Sequence, residues 1–122
     1  MELIGLKKCS TCKAVEKQLN EQHLAYSYRE INVDNPSAQE LSAWYQKSEA
    51  TTPKKFVNTS GLKYKALGLK DKWDTLSESE QFELLATDGM LVKRPILILD
   101  NGQVLVGREV SNYLTAHKEG IK

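Results

Sequence analysis

The sequence has no long hydrophobic run and no surplus of charge of one sign. No apolar stretch in its 122 residues approaches the roughly 18 residues of a membrane-spanning helix. The chain has seventeen Lys and Arg residues and sixteen Asp and Glu residues, so the net charge is +1. This balance gives no general reason to expect direct nucleic-acid binding. The start of the chain, Met1 to Leu6, lacks the features of a signal peptide, so we expect a cytoplasmic protein without a membrane segment.

Cysteine and histidine are scarce. The cysteines are Cys9 and Cys12, and the histidines are His23 and His117. A zinc site needs about four ligands, and neither histidine stands at a usual ligand spacing, which argues against zinc. A disulfide that closes so short a loop stabilises little, and cytoplasmic thiols are kept reduced. Reactive thiols are therefore favoured, and two inert cysteines buried as small hydrophobic residues are the alternative.

The length suits a single domain spanning residues 1–122. Leu3 to Leu6 is typical of a short strand, and the apolar residues Ala14, Val15 and Leu19 predict a helix after it. Alternation around Tyr26 and Tyr28 predicts a second strand over 25–32. A strand, a helix and a strand within about thirty residues indicate a right-handed βαβ unit with parallel strands.

Helical signals fill the next segment, about 36–90. Asn35 before Pro36 predicts a helix start. The pairs Ser37 with Glu40 and Ser77 with Glu80 have the spacing of capping boxes. Gly89 is the predicted stop of the last helix in this segment. The segment therefore indicates a helical insert.

The last third of the chain has a different pattern. The apolar run Pro95 to Leu99 predicts a buried strand, and Asp100-Asn101-Gly102 predicts a hairpin with a type I′ turn. The return strand covers Gln103 to Val106, and helical spacing predicts a closing helix from Glu109 to His117. The order is β-α-β, a block of helices, then β-β-α, which is an α/β fold with a four-stranded mixed sheet.

The two cysteines are placed for thiol chemistry. Residues three apart share one face of a helix, and free N–H groups at a helix start favour a thiolate over a thiol. We therefore expect Cys9 to be a nucleophile with a lowered pKa, and Cys12 to resolve a mixed disulfide formed at Cys9. Positive charge from Lys8 and Lys13 nearby would favour an anionic substrate. No glycine-rich phosphate loop or metal motif is present, so no bound cofactor is expected.

Three further residues carry weaker signals. Arg94 precedes Pro95, so its backbone should be extended at the start of the buried strand. A guanidinium there is suited to hold an oxyanion or a thiolate, and Arg108 has the same potential. A solvated strand-edge charge is the alternative for both. His23 stands at the end of the first helix, where a cationic imidazole suits the helix dipole.

Taken together, these motifs resemble the ArsC/Spx family of arsenate-reductase-like proteins. The resemblance rests on Cys9-Ser10-Thr11-Cys12-Lys13 after a strand, on Lys93-Arg94-Pro95-Ile96 and on Val106-Gly107-Arg108, and it covers nearly the whole chain. The segment Phe56 to Leu67 is most similar to an arsenate-reductase-like branch of Gram-positive bacteria. The resemblance implies a thioredoxin-like fold with a helical subdomain between the second and third strands. It also implies that Pro95 is a cis-proline facing the reactive cysteine.

The resemblance implies roles for several residues. In ArsC-type reductases the nucleophile matches Cys9, and arginines that match Arg94 and Arg108 hold the oxyanion. A further arginine comes from the insert, but the matching segment here has none, and Lys63 or Lys65 are the candidate substitutes. Those reductases depend on glutaredoxin and glutathione. Cys12 would instead allow an internal disulfide, which thioredoxin or a similar reductant could open.

Two functional hypotheses follow. The first is a thiol–disulfide oxidoreductase, a monomer that reduces arsenate, another oxyanion or a disulfide. The alternative is an Spx-like regulator whose Cys9–Cys12 disulfide changes its binding to the RNA polymerase α subunit. Spx-type proteins use a glycine of the insert for that contact, and the best alignment places Ala50 there, which counts against the alternative.

Overall fold

The computed structural model describes residues 1–116, and its elements follow the predicted order. The strands are β1 (Glu2–Gly5), β2 (Ser27–Glu30), β3 (Ile96–Ile98) and β4 (Val104–Val106). The helices are α1 (Ser10–Glu21), α2 (Ala38–Gln46), α3 (Leu62–Ala66), α4 (Leu69–Lys72), α5 (Glu78–Ala86) and α6 (Arg108–Ala116). Short 3-10 helices occupy Pro53–Phe56, Trp73–Thr75 and Gly89–Leu91.

The four strands form one mixed sheet in the order β2-β1-β3-β4. Strand β1 pairs with β2 in parallel, while β3 runs antiparallel to both β1 and β4. The elements α2 to α5 lie in the chain between β2 and β3. The predicted α/β topology, with helices inserted between the second and third strands, is confirmed.

Each face of the sheet is covered by a different group of helices, because successive strand residues point to opposite sides. On one face, strand residues pack with α1 and α6, and this cluster includes Leu3, Val15, Leu19, Leu97, Leu105, Val110 and Leu114. On the other face, strand residues pack with the insert, and this cluster includes Ile4, Leu41, Trp44, Phe56, Trp73, Phe82, Leu85 and Ile96. The loop between β1 and α1 therefore starts at the end of an inner strand of a sheet that is buried on both sides.

Helix capping in the insert is partly as predicted. Both capping boxes form: the hydroxyls of Ser37 and Ser77 accept the backbone N–H of Glu40 and Glu80. The prediction that Asn35 caps the helix is wrong, because Ser37 is the N-cap. The side-chain oxygen of Asn35 instead accepts the backbone N–H of Gly89 at 2.7 Å.

One predicted helix end is corrected, and the predicted position of His23 at a helix end is confirmed. Gly89 does not stop α5, because the helix ends at Ala86 and Gly89 begins the following 3-10 helix. His23 follows α1 with a φ of 56°, and its N–H donates to the carbonyl of Asn20. The N–H of Leu24 donates to the carbonyl of Leu19, which completes a Schellman motif. His23 thus ends the helix through its backbone.

The hairpin between β3 and β4 is present, but its turn is not type I′. A type I′ turn needs positive φ at both central residues, and here Gly102 has a φ of 92° while Asn101 does not. The N–H of Gly102 donates to Leu99 instead, as in a three-residue hairpin loop. Helix α6 is described to Ala116, so the predicted end at His117 lies outside the described residues. Within residues 1–116, no helix has the length and apolar character needed to cross a bilayer.

Candidate thiol site

Cys9 stands at the N-cap of α1, where the chain leaves the β1 loop. Its backbone is extended, with φ −80° and ψ 123°, and its N–H donates to the carbonyl of Leu6 at 2.9 Å. Its side chain is half-buried, while Cys12, one turn later, is fully buried. Both cysteines are free thiols in this structure. The start of α1 therefore carries one accessible sulfur, that of Cys9, and one buried sulfur, that of Cys12.

The surroundings of Cys9 favour its thiolate. Partial burial raises the pKa of the Cys9 thiol, but this effect is outweighed by the backbone N–H and thiol of Cys12, the backbone N–H of Thr11 and the positive charge of Arg94. The pKa therefore lies below its ordinary value. The amide contribution is electrostatic, since neither N–H reaches the Cys9 sulfur with hydrogen-bond geometry.

The second thiol has the opposite character. Burial raises the pKa of Cys12 to about 12, and the neighbouring Cys9 adds to the rise. The N–H of Leu6, 3.5 Å from the Cys12 sulfur, and the charge of Arg94 counteract it only in part. At neutral pH, Cys12 is thus a protonated thiol beside a more acidic one. Such a pair distinguishes the attacking sulfur from the sulfur that reacts second.

A cavity of about 350 Å³ opens beside Cys9. Its walls come from α1, the loop after Phe56, the start of β3 and the start of α6. The lining residues are Cys9, Thr11, Asn58, Thr59, Ser60, Lys93, Arg94, Gly107, Arg108 and Ser111. Three of these are cations and none is an anion, so the cavity suits a negatively charged group.

Arg94 is held in place at this cavity by backbone groups. Its Nη1 donates to the carbonyls of Met90 and Val92 at 3.4 and 3.3 Å. The Arg94–Pro95 bond is cis, and the Pro95 carbonyl accepts the N–H of Gly107 at 2.7 Å. This contact joins the start of β3 to the end of β4, so Arg94 and Arg108 border one cavity.

The structure separates the predicted cationic residues into two groups. Arg94 and Arg108 line the cavity with Cys9, whereas Lys8 and Lys13 are exposed side chains that do not line it. Lys93, which the sequence reasoning did not single out, is the third cation. The signal for it was its position next to Arg94 in the Lys-Arg-Pro motif.

The candidate substitutes for the insert arginine lie elsewhere. The ammonium of Lys63 is 3.7 Å from the carboxylate of Asp88, and Lys65 does not line the cavity. The insert contributes Asn58, Thr59 and Ser60 instead, which are neutral hydrogen-bonding groups. Its contribution to the cavity is therefore polar without positive charge.

Other candidate sites lack this chemistry. A larger cavity of about 460 Å³ lies among α4, α5 and the loops of the insert, away from both cysteines. Among residues 1–116, no group of three His, Cys, Asp or Glu side chains is arranged to hold a metal ion. Ala50, the residue aligned with the Spx contact glycine, is half-buried and packs against the core of the insert.

Comparison with known proteins identifies the family. The model of the ArsC family matches residues 4–116, which include both cysteines, Arg94 and Arg108. The chain belongs to the ArsC family. The thioredoxin-like fold, with the family's helical insert, is the predicted one.

Relatives and solved structures agree with this assignment. The chain is 49% identical over 100 residues to the uncharacterized protein YusI of Bacillus subtilis, which covers 82% of this chain and 83% of that protein. An ArsC-family-related protein of Bacteroides fragilis is 43% identical with a TM-score of 0.83, covering 93% of this chain and 95% of that one. An arsenate reductase of Vibrio cholerae is 26% identical with a TM-score of 0.82, covering 94% and 97%. These similarities support a thiol-based oxidoreductase fold.

Proposed function

We propose that this ArsC-family protein is a thiol–disulfide oxidoreductase in which Cys9 attacks an anionic substrate and Cys12 resolves the adduct. The observation that carries the proposal is the position of Cys9. It combines the start of α1 with a cavity whose charged side chains, Lys93, Arg94 and Arg108, are all positive. A cationic cavity stabilises both the thiolate and a negatively charged partner.

The chemistry proceeds in two displacements. The Cys9 thiolate attacks a sulfur of the substrate disulfide, a bond forms between the two sulfurs, and the other substrate sulfur leaves as a thiolate. Cys12 then attacks the Cys9 sulfur, which forms the Cys9–Cys12 disulfide and releases the second substrate thiolate. Two external thiols, from thioredoxin or from glutaredoxin with glutathione, are oxidised to a disulfide and return the pair to its reduced form. The protein needs no bound cofactor for these steps.

The arsenate form of the proposal is narrower. Arg94 and Arg108 supply two of the arginines that the ArsC resemblance implies, and Lys93 supplies a third positive charge. A lysine is a point charge and does not make the planar two-bond contact of an arginine with an oxyanion. Another oxyanion or an anionic disulfide therefore fits the cavity at least as well as arsenate.

Consumption of NADPH by the purified protein tests the proposal. The assay is run in parallel with a thioredoxin system and a glutaredoxin–glutathione system, each with arsenate, with an anionic disulfide or with neither. We expect substrate-dependent turnover above that of the coupling system alone, and this excess should disappear in Cys9→Ser. An excess that persists in Cys9→Ser would contradict the proposal, and an arsenate-dependent excess would establish the narrower form.

The Spx-like alternative predicts a different result. The Cys9–Cys12 disulfide would form and be reduced, yet no substrate would sustain turnover in either system. The protein would instead be retained by the C-terminal domain of the RNA polymerase α subunit in only one redox state. The absence of retention in both states would exclude the regulator.

A further inference from the structure

The second displacement requires a base, and the described residues that line the cavity around Cys9 provide none. Cys12 is fully buried and its thiol stays protonated at neutral pH, because burial raises its pKa to about 12. Once Cys9 has formed a mixed disulfide, its sulfur no longer accepts a proton. Arg94 acts on Cys12 through its charge, but a guanidinium only donates hydrogen bonds and offers no acceptor for a proton. Another group must therefore take the proton of Cys12.

A tyrosine of β2 lies close to Cys12, and it and a neighbouring glutamate do not line the cavity. The hydroxyl of Tyr28 donates to Oε1 of Glu30 at 2.8 Å, and the same oxygen accepts the backbone N–H of Lys7 at 2.9 Å. Both side chains are half-buried, so the carboxylate has access to water. The two hydrogen bonds hold the Glu30 carboxylate as the acceptor of the Tyr28 hydroxyl.

Gly5 shows that the tyrosine and the buried thiol share one space. A Cβ at Gly5 would lie 3.0 Å from the sulfur of Cys12 and 3.5 Å from the hydroxyl oxygen of Tyr28. Strand β1 keeps this space open because it carries no side chain there. A negative charge on Cys12 would raise the pKa of Tyr28, so the two groups lie within electrostatic range of each other. A proton transfer needs such proximity, either directly or through one water molecule.

We propose that Tyr28 and Glu30 together accept the proton of Cys12 when it attacks the mixed disulfide, an inference that rests on the proposed function. The Tyr28 hydroxyl takes this proton and passes its own to the Glu30 carboxylate. The electron pair freed on the Cys12 sulfur forms the bond to Cys9, and the bond from Cys9 to the substrate breaks. The electron pair of the broken bond stays on the substrate sulfur, which leaves as a thiolate. Glu30 later releases its proton to water.

Charged side chains other than Glu30 also face Tyr28. The ammonium of Lys7 lies 5.8 Å from its ring centroid, and the carboxylate of Glu16 acts on it from α1. Glu16 already accepts the hydroxyl of Tyr26 at 3.0 Å. Tyr26 therefore provides a matched control, since it makes the same kind of tyrosine–glutamate hydrogen bond without bordering Gly5. Glu30 receives the proton only through Tyr28 and does not touch the reacting sulfur atoms.

A single-turnover reaction with one equivalent of Ellman's reagent, an aromatic disulfide with two carboxylates, tests the inference. The first release of coloured thiolate reports attack by Cys9, and the second reports attack by Cys12. We expect Tyr28→Phe and Glu30→Gln to leave the first phase unchanged and to slow the second about 10²-fold, the lower end of typical general-base effects. Tyr26→Phe should leave both phases unchanged. Glu30→Gln keeps the acceptor oxygen for Lys7, so a fold defect is not expected.

The pH profile separates a base from a structural support. Without a base, the second phase should rise about tenfold per pH unit in Glu30→Gln, because it follows the thiolate fraction of Cys12. The wild-type second phase should be much less steep near neutral pH. Equal second-phase rates in all variants would overturn the inference and leave the proposed function intact. A first phase without any second phase in the wild type would instead contradict resolution by Cys12.

Discussion

The side chain of Lys93 lies across Gly107. A Cβ at Gly107 would approach the Cε of Lys93 to 2.7 Å, and Gly107 has a φ of 63°, in the left-handed region. The glycine thus serves two purposes at once: it turns the chain from β4 into α6 and leaves room for a cation of the cavity. The backbone conformation at Gly107 and the position of the Lys93 ammonium at the cavity therefore depend on each other.

Replacement of Gly107 by alanine should therefore affect both stability and function. We expect Gly107→Ala to lower the free energy of unfolding by about 1–2 kcal/mol, the usual cost of a left-handed residue with a Cβ. It should also weaken reaction with anionic substrates, because Lys93 must move. Urea denaturation and the first phase of the single-turnover reaction measure the two effects.

Gly68 provides the control for this prediction. It has the same φ of 63°, but a Cβ there would meet nothing within 4 Å. Gly68→Ala should show a similar loss of stability with unchanged thiol reactivity. Equal reactivity of the two variants would show that the contact with Lys93 has no influence on the site.

The two cysteines should differ strongly in alkylation. Because the pKa of Cys9 is lowered and that of Cys12 is raised, iodoacetamide should modify Cys9 first across the neutral range. As pH falls through the pKa of Cys9, the rate should fall with the thiolate fraction. Peptide mapping by mass spectrometry identifies the labelled cysteine. Preferential labelling of Cys12 in the folded protein would contradict the assigned roles.

Arg94 should contribute to the acidity of Cys9. Its positive charge lowers the pKa of the Cys9 thiol, so Arg94→Gln should raise that pKa and slow alkylation at pH values below it. Lys13→Gln is the control, since Lys13 is an exposed cation of α1 outside the cavity. The pH dependence of iodoacetamide labelling gives the pKa of Cys9 in each of the two variants. If the two variants shift the profile equally, the effect comes from general charge and not from the cavity.

Acid should weaken the insert through Glu40. Hydrogen bonds from Arg29 lower the pKa of Glu40, and the shortest of them is 2.7 Å. A carboxyl with a lowered pKa in the folded state stabilises the fold above its unfolded pKa, and this stabilisation is lost as pH falls through the folded pKa. Urea denaturation from neutral to acidic pH should therefore show a smaller acid loss in Glu40→Gln than in the wild type. Parallel curves would contradict a role for this pair.

Local sequence signals predicted the order of elements well. The capping boxes at Ser37 and Ser77 form because a hydroxyl and a glutamate three residues apart satisfy each other without help from the rest of the fold. The capping prediction for Asn35 is wrong, and its side chain instead accepts the N–H of Gly89, a partner 54 residues away that no local signal indicates.

The site was predictable only where the family motif covers it. Cys9, Arg94 and Arg108 stand in motifs that can be recognised in the sequence, and the structure brings them to one cavity. Lys93 stands beside Arg94 in the same motif, but its path across Gly107 is set by the fold, and Tyr28 borders Cys12 because Gly5 carries no side chain in the space that they share. Such relationships depend on strand pairing and on the absence of a side chain, and neither is visible as a pattern of residue types.

Covalent trapping tests the central claim most directly. Cys12→Ser is incubated with an anionic disulfide, and the intact mass and the modified peptide are determined by mass spectrometry. Our account predicts a stable mixed disulfide at Cys9 that accumulates in this variant, does not form in Cys9→Ser, and is replaced in the wild type by the Cys9–Cys12 disulfide. An adduct at Cys12 in Cys9→Ser that forms as fast as the adduct at Cys9 would contradict the account.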